Sequence, residues 1–252
     1  MSLELPPVIG HRGAAALAPE NTLAGLRAAA TAGARWVEFD VKLTADDVCV
    51  LMHDETLDRT TDGQGRIAET PLAALRRLDA GRRFAPEFAG ERVPTLVEAI
   101  GELERLGLGA NIEIKPCAGR AAETARATVA VIADHWPRTL PAPLLSSFQR
   151  DSLAAIRAVA PDLPCGLIAE RLPVDWRDAI ARFGCRSLHL GYKKLTPAIV
   201  AEVLAAGLKL AVWTVNEAAE GARWRAAGAH AIITDRPDAL CASSAETVVG
   251  HA

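Results

Sequence analysis

No C-x-x-C pair occurs in these 252 residues, and the five cysteines (Cys49, Cys117, Cys165, Cys185 and Cys241) are odd in number and scattered. That argues against both a disulfide framework and a zinc site. No uncharged apolar run reaches the roughly 18 to 20 residues that a membrane helix needs. The amino terminus lacks a basic region followed by an apolar core, so no export signal is expected. A formal net charge of -3 gives no general attraction to nucleic acid or to an anionic membrane. These absences leave a cytoplasmic protein with reduced, mostly structural thiols as the expectation. Any anionic small molecule it binds must be recognised by local groups, and nothing in the sequence fixes an oligomeric state.

Half of the residues are hydrophobic, enough to bury a full core, and the length suits either two small domains or one barrel. The most informative stretch is 11–54. It carries His11, Arg12 and Gly13, then Glu38 and Asp40, then His53 and Asp54, each set at the end of an apolar run. Side chains two apart on a strand share a face, so Glu38 and Asp40 point together while Val37, Phe39 and Val41 point the other way. Runs 37–44 and 48–53, joined by the polar Ala45, Asp46 and Asp47, read as an antiparallel hairpin that brings His53 beside the two carboxylates. The bland alternative is an ordinary surface hairpin with a histidine at its end.

Along the chain, a strand at 8–10 precedes Asn21 or Thr22 as a helix cap and an Ala-rich helix to Gly33. After the hairpin, 55–93 breaks the periodicity and reads as a small inserted subdomain over one end of the fold. Thr95 and Glu98 then form a capping box, with Leu96, Ile100 and Leu103 on one helix face. Later strands are expected at 111–115, 144–148, 165–168, 187–190, 210–214 and 231–235. The helices between them include 120–136, 149–160, 197–206 after the Thr196 cap, and 217–227. Eight strands, without the returning hairpin arm, give the size and rhythm of an α/β (β/α)8 TIM barrel forming one domain over 1–252.

In such a barrel the working face lies at the carboxyl ends of the strands. His11, Arg12, Glu38, Asp40, Glu113, Lys115, Phe148, Trp213 and Asp235 sit at those ends, and Glu113 and Lys115 repeat the i, i+2 geometry. Carboxylate oxygens without thiolates favour a hard divalent cation, Mg²⁺ or Ca²⁺. Beside Arg12 and Lys115 such an ion would hold a phosphate oxygen and leave the two histidines to move protons. The alternative is a set of ion pairs that only ties strand ends together. Phe148 and Trp213 are either substrate contacts or core. His135, His189, His230 and His251 are taken as structural or solvent-exposed, and Trp36, Trp136, Trp176 and Trp224 as packing the barrel's outer layer.

An ordered series of motifs spans nearly the whole chain: H-R-G at 11–13, P-E-N-T at 19–22, E-x-D at 38–40, H-D at 53–54 with R-T-T at 59–61, and E-I-K at 113–115. It continues with S-F at 147–148, W-T-x-N at 213–216 and T-D-x-P at 234–237. This series resembles the glycerophosphodiester phosphodiesterases of the bacterial cytoplasmic type. The resemblance implies a TIM barrel with a small insertion after the second strand. It implies Glu38, Asp40 and Glu113 as ligands of one Ca²⁺ or Mg²⁺, His11 and His53 as the acid and base pair, and Arg12 and Lys115 as phosphate contacts. It further implies cleavage of glycerophosphodiesters to sn-glycerol 3-phosphate and an alcohol. Three rivals remain: a related phosphodiesterase that cleaves phosphoinositides or sphingomyelin, a non-catalytic metal- or phosphate-binding barrel, and a structural or partner-binding protein, which would need a large exposed apolar patch.

Overall fold

The strand carrying the paired carboxylates, β2 (Trp36–Leu43), is buried along its whole length, as a parallel strand is when helices cover one side and a closed lumen lies on the other. The computed structural model describes residues 3–242. On β2, Val37, Phe39 and Val41 face outward into the main core with Leu26, Ile100 and Leu103. Phe39 and Val41 are fully buried, each removing apolar surface from water for roughly 1.5–3 kcal/mol. Trp36, Glu38 and Asp40 take the inner face.

The first strand β1 (Val8–Gly10) pairs in parallel with β2 and with the last strand β9 (Ala231–Thr234), which closes the ring. Between them run β4 (Gly109–Ile114), β5 (Leu144–Ser147), β6 (Cys165–Ala169), β7 (Ser187–Gly191) and β8 (Lys209–Trp213), each parallel to its neighbour. The short β3 (Cys49–Leu51) lies outside the ring, antiparallel to β2 through Val41–Leu51 and Leu43–Cys49. This is a TIM barrel of eight parallel strands with an extra hairpin arm.

The helices follow their sequence signals. Thr22 caps α1 (Leu23–Thr31) by accepting from Gly25 N, and the Thr95–Glu98 box opens α3 (Leu96–Leu106). The later helices are α4 (Ala121–His135), α5 (Arg150–Val159), α6 (Trp176–Phe183), α7 (Pro197–Ala205) and α8 (Ala218–Ala226). Pro197 sits in the first turn of α7, where its missing N–H costs nothing. Among the described residues no helix is long and apolar enough to cross a membrane.

Trp36 corrects one expectation. It is not in the outer layer but inside the barrel, packed with Leu3, Ile9, Leu144, Ala211 and Ile233 at the closed end. The same period of two that turns Glu38 and Asp40 inward also turns Trp36 inward. Trp176 and Trp224 are buried among the helices and Trp136 packs beside them, as expected. His251 lies outside the described residues.

The stretch 55–93 contains one short helix, α2 (Leu72–Leu75), and two single-turn 3₁₀ segments. Its small apolar cluster joins Leu57, Ile67, Leu75, Ala80 and Val93 to Met52. Asp79 ties its second half together, accepting from the backbone N–H groups of Gly81, Arg82 and Gly90. These three bonds hold the carboxyl down at about 2. A depressed acid stabilises the fold above its unfolded pKa, so this contribution is present above about 4 and lost as pH falls through about 2. Asp79→Ala should speed amide exchange at Gly81, Arg82 and Gly90 while leaving the barrel strands protected, as read by hydrogen exchange. Unchanged exchange at those three amides would remove Asp79 as the tie.

Candidate active site

The first turn after β1 is built by close backbone packing. A Cβ on Gly13 would lie 2.6 Å from the backbone carbon of Gly25, and Gly13 has φ +86°, so this position takes only glycine. Arg12 (φ 49°) and Asn21 (φ 55°) are also left-handed, at about 1 kcal/mol or more each. Both are fixed by the carboxylate strand. Arg12 N donates to Glu38 Oε2 at 3.0 Å, while Asn21 donates to Asp40 Oδ2 at 2.9 Å and accepts from Asp40 N. Thr22, not Asn21, is therefore the helix cap, because Asn21 is committed to Asp40.

Glu38, Asp40 and Glu113 come together, with ligand oxygens within 4.8 Å of one another. Their residues are 3%, 1% and 7% exposed. Burial, then the charges of Asp40 and Glu113, raises the Glu38 carboxyl well above the carboxylate range. Burial, then Asp40, pushes Glu113 up to about 7. Burial also works against the Asp40 charge, but Lys115, Arg12, His53 and the Asn21 hydrogen bond outweigh it and hold that carboxyl low. Two acids driven toward protonation around a third that stays charged are short of positive charge. Glu38 Oε1 is buried without a partner among the described residues. An all-oxygen donor set with a free buried oxygen fits a hard divalent cation such as Mg²⁺ or Ca²⁺.

The cations around this cluster are partly engaged. Lys115 Nζ donates to Glu113 Oε1 at 2.9 Å and lies 3.4 Å from Asp40 Oδ1. Arg12 donates to Glu20 at 2.8 Å, and its Nε, 3.6 Å from Asp40, makes no hydrogen bond among the described residues. The motif at 19–22 thus divides its labour: Glu20 holds Arg12, Asn21 holds Asp40 and Thr22 opens α1.

Each histidine of the pair has its Nδ1 held by a carboxylate. His11 Nδ1 is 2.6 Å from Asp235 Oδ1, and Asn216 fixes Asp235 by donating to Oδ2 and accepting from its backbone N–H. His53 Nδ1 is 2.7 Å from Asp54 Oδ1. Arg59 donates to both Asp54 oxygens and both Glu20 oxygens, linking the His53 side of the site to the Arg12 side. Burial lowers the His53 pKa, with Asp40 and Asp54 opposing it. With Nδ1 occupied, Nε2 is the nitrogen left on each ring to exchange a proton.

A cavity of about 200 Å³ lies over these groups. His11, Arg12, Glu38, His53, Glu113, Lys115, Phe148 and Trp213 all line it. Phe148 and Trp213 meet edge to face at 5.5 Å, and Lys115 Nζ is 5.4 Å from the Phe148 ring centre, so the two rings form a cavity wall rather than outer core. His189, expected as structural, also lines the cavity, as does Asn111. Asp235 at a strand end and Asp54 beside His53 are visible in the sequence without their roles as histidine anchors, and Glu20, Arg59 and Asn216 carry no role there, although the motif series passes through all five. His230 instead accepts from Leu210 N at 3.2 Å.

Comparison with known proteins agrees with this architecture. The glycerophosphoryl diester phosphodiesterase family model matches residues 11–239. A glycerophosphodiester phosphodiesterase of Caldanaerobacter subterraneus subsp. tengcongensis is 37% identical over 235 residues, 92% of this chain and 95% of that one. One from Bacillus subtilis is 30% identical over 250 residues, covering 91% and 83%. The structure of an Oleispira antarctica phosphodiesterase in complex with the product sn-glycerol-3-phosphate superposes with a TM-score of 0.93 at 39% identity, covering 96% of this chain and 97% of that one. The chain belongs to the glycerophosphoryl diester phosphodiesterase family and is a phosphodiester hydrolase.

Proposed function

We propose that this protein hydrolyses glycerophosphodiesters to sn-glycerol 3-phosphate and an alcohol, with one divalent cation at Glu38, Asp40 and Glu113 and with His11 and His53 as the proton-transfer pair. The observation that carries this reading is the pair of carboxylate-anchored imidazoles lining one cavity with three buried, converging carboxylates. When bound, the cation supplies Lewis-acid stabilisation of the charge that builds up on the phosphoryl oxygens.

The side chains do the rest. Arg12 and Lys115, which both line the cavity, hold the phosphodiester oxygens by charge-assisted hydrogen bonds. His11 takes a proton from the attacking oxygen at Nε2, and Asp235 orients the ring and stabilises the imidazolium that results. His53 gives a proton from Nε2 to the leaving alkoxide, with Asp54 and Arg59 fixing its orientation. Phe148 and Trp213 pack against the carbon portion of the substrate and keep water from that wall. The attacking oxygen is a water, or first the substrate's own hydroxyl through a cyclic phosphate.

The test is a panel of glycerophosphocholine, glycerophosphoethanolamine and glycerophosphoglycerol beside phosphatidylinositol and sphingomyelin, with products identified. Release of sn-glycerol 3-phosphate from the first three supports the reading. Turnover confined to the two lipids would replace it with one of the rivals.

The stretch 55–93 is proposed to cover the substrate and to set head-group preference, because it leaves the barrel beside His53 and returns Arg59 to the site. Replacing residues 64–90 by a short linker, which keeps Arg59, should change relative kcat/KM values among the three diesters. Unchanged selectivity in a folded variant would remove this role.

A further inference from the structure

The cavity has a polar inner end that neither the carboxylate cluster nor the histidine pair uses. Asn111 lies on β4 two residues before Glu113 on the same inward face, hence roughly 7 Å deeper in the barrel. It is fully buried and lines the cavity. Neither its Nδ2 nor its Oδ1 meets a partner among the described residues. His189, on β7, lines the same cavity at 1% exposure. Its Nε2 is 2.9 Å from Ser187 Oγ, and its Nδ1 has no partner among the described residues. Gly166 on β6 makes room for this arrangement, since a Cβ there would lie 2.8 Å from His189 Nε2 and 2.4 Å from Ser187 Oγ.

Leaving a buried polar atom without a partner is costly, so the three on Asn111 and His189, gathered at one end of the cavity, mark a place where a ligand's polar atoms complete the bonding. The ligand's chemistry follows from the groups. A carboxamide offers donors and an acceptor, and a neutral imidazole offers one of each. A hydroxyl, donor and acceptor in one atom, satisfies either. The remaining wall, with Ile168 and Ile233, is apolar and suits short carbon chains. A three-carbon chain reaching inward from a phosphate at the carboxylate cluster ends near this depth.

We infer that Asn111 and His189 form a hydroxyl-reading subsite that binds the terminal hydroxyl of the glycerol moiety, with the variable alcohol toward the open mouth. The inference rests on the proposed hydrolysis of glycerophosphodiesters and adds to it the residues that read the constant part of every such substrate. A site built to bond a hydroxyl rejects the analogue without it, because its own buried groups are then left unpaired.

The test compares glycerophosphocholine with propane-1,2-diol 1-phosphocholine, which keeps the hydroxyl adjacent to the ester carbon and lacks only the terminal one. Wild-type kcat/KM should fall by about 10²-fold or more on the deoxy substrate. Asn111→Leu should lose a comparable factor on glycerophosphocholine, and its ratio between the two substrates should shrink to within about threefold, the non-additivity expected of groups in contact. His189→Leu should shrink the ratio in the same direction. Equal wild-type rates on the two esters would overturn the inference without reference to any variant. A folded Asn111→Leu that keeps the full wild-type ratio would also overturn it, assigning the free polar atoms to ordered water. If wild type cleaves neither ester, the proposed function fails and this inference with it. Cleavage of both at one rate fails the subsite alone.

Discussion

His53→Ala should lower kcat/KM for glycerophosphocholine by about 10³-fold while costing a nitrophenyl phosphodiester less than about tenfold, because a positioned acid is worth roughly 10² to 10⁴ only where the leaving oxygen needs a proton. Choline leaves as a basic alkoxide, whereas nitrophenoxide leaves without help. His11→Ala should lose both substrates, since the attacking oxygen must be deprotonated whichever group departs. Activity should follow a bell in pH whose limbs belong to the pair rather than to either ring. Burial lowers the His53 pKa, so its proton is lost at lower pH than from a free imidazole. If His53 is the acid, the alkaline limb moves to lower pH accordingly. Steady-state kinetics on the two esters checks the roles. Equal losses in His53→Ala would sink the assignment, and the reverse pattern would exchange the two histidines.

The second large effect is at the carboxylates. Substituting Glu38, Asp40 or Glu113 by Ala should weaken divalent-ion affinity and kcat together, by roughly 10³-fold, the scale of several kcal/mol of lost charge stabilisation. A structural measurement separates this from a set of ion pairs that only ties strand ends. Glu113 is raised from the ordinary glutamate value to about 7. A raised acid contributes stability that is present below its unfolded pKa and lost as pH rises through the folded value. In metal-free protein at pH 8 its charge is therefore a burden. Glu113→Gln should raise the metal-free Tm at pH 8 by a few degrees and abolish the Tm gain from Ca²⁺ or Mg²⁺. A strand-tying ion pair with Lys115 predicts the opposite sign, a lower Tm in the variant.

The barrel and its carboxylate triad were legible because both follow from short-range periodicity. The i, i+2 spacing of Glu38 and Asp40 sets their common face, and E-I-K at 113–115 repeats it on the strand that pairs with β2 at Asp40 and Glu113. The apolar bulk of Trp36 suggests outer packing, whereas the same period counted two residues back from Glu38 puts it in the lumen. Asn21 looked like a cap, and only the fold reveals that Asp40 claims it. The anchors of the histidines differ in legibility. Asp54 adjoins His53 in sequence, but Asp235 is 224 residues from His11, and no local pattern predicts that pair. Arg59 and Glu20 meet across 39 residues and two separate loops. Asn111 and His189 were hidden for a different reason. Inside a strand a polar residue reads as an incidental core position, and its meaning appears only when the ring of strands places it on a cavity.

The measurement that bears most directly on the whole account is release of sn-glycerol 3-phosphate from glycerophosphocholine by wild-type protein before EDTA, after EDTA, and after restoring Mg²⁺ or Ca²⁺. The account predicts turnover that is abolished by chelation and restored by at least one of the two ions, with Glu113→Gln and His11→Ala inactive throughout. Full turnover in the presence of EDTA, or metal-dependent turnover retained by His11→Ala, would contradict it.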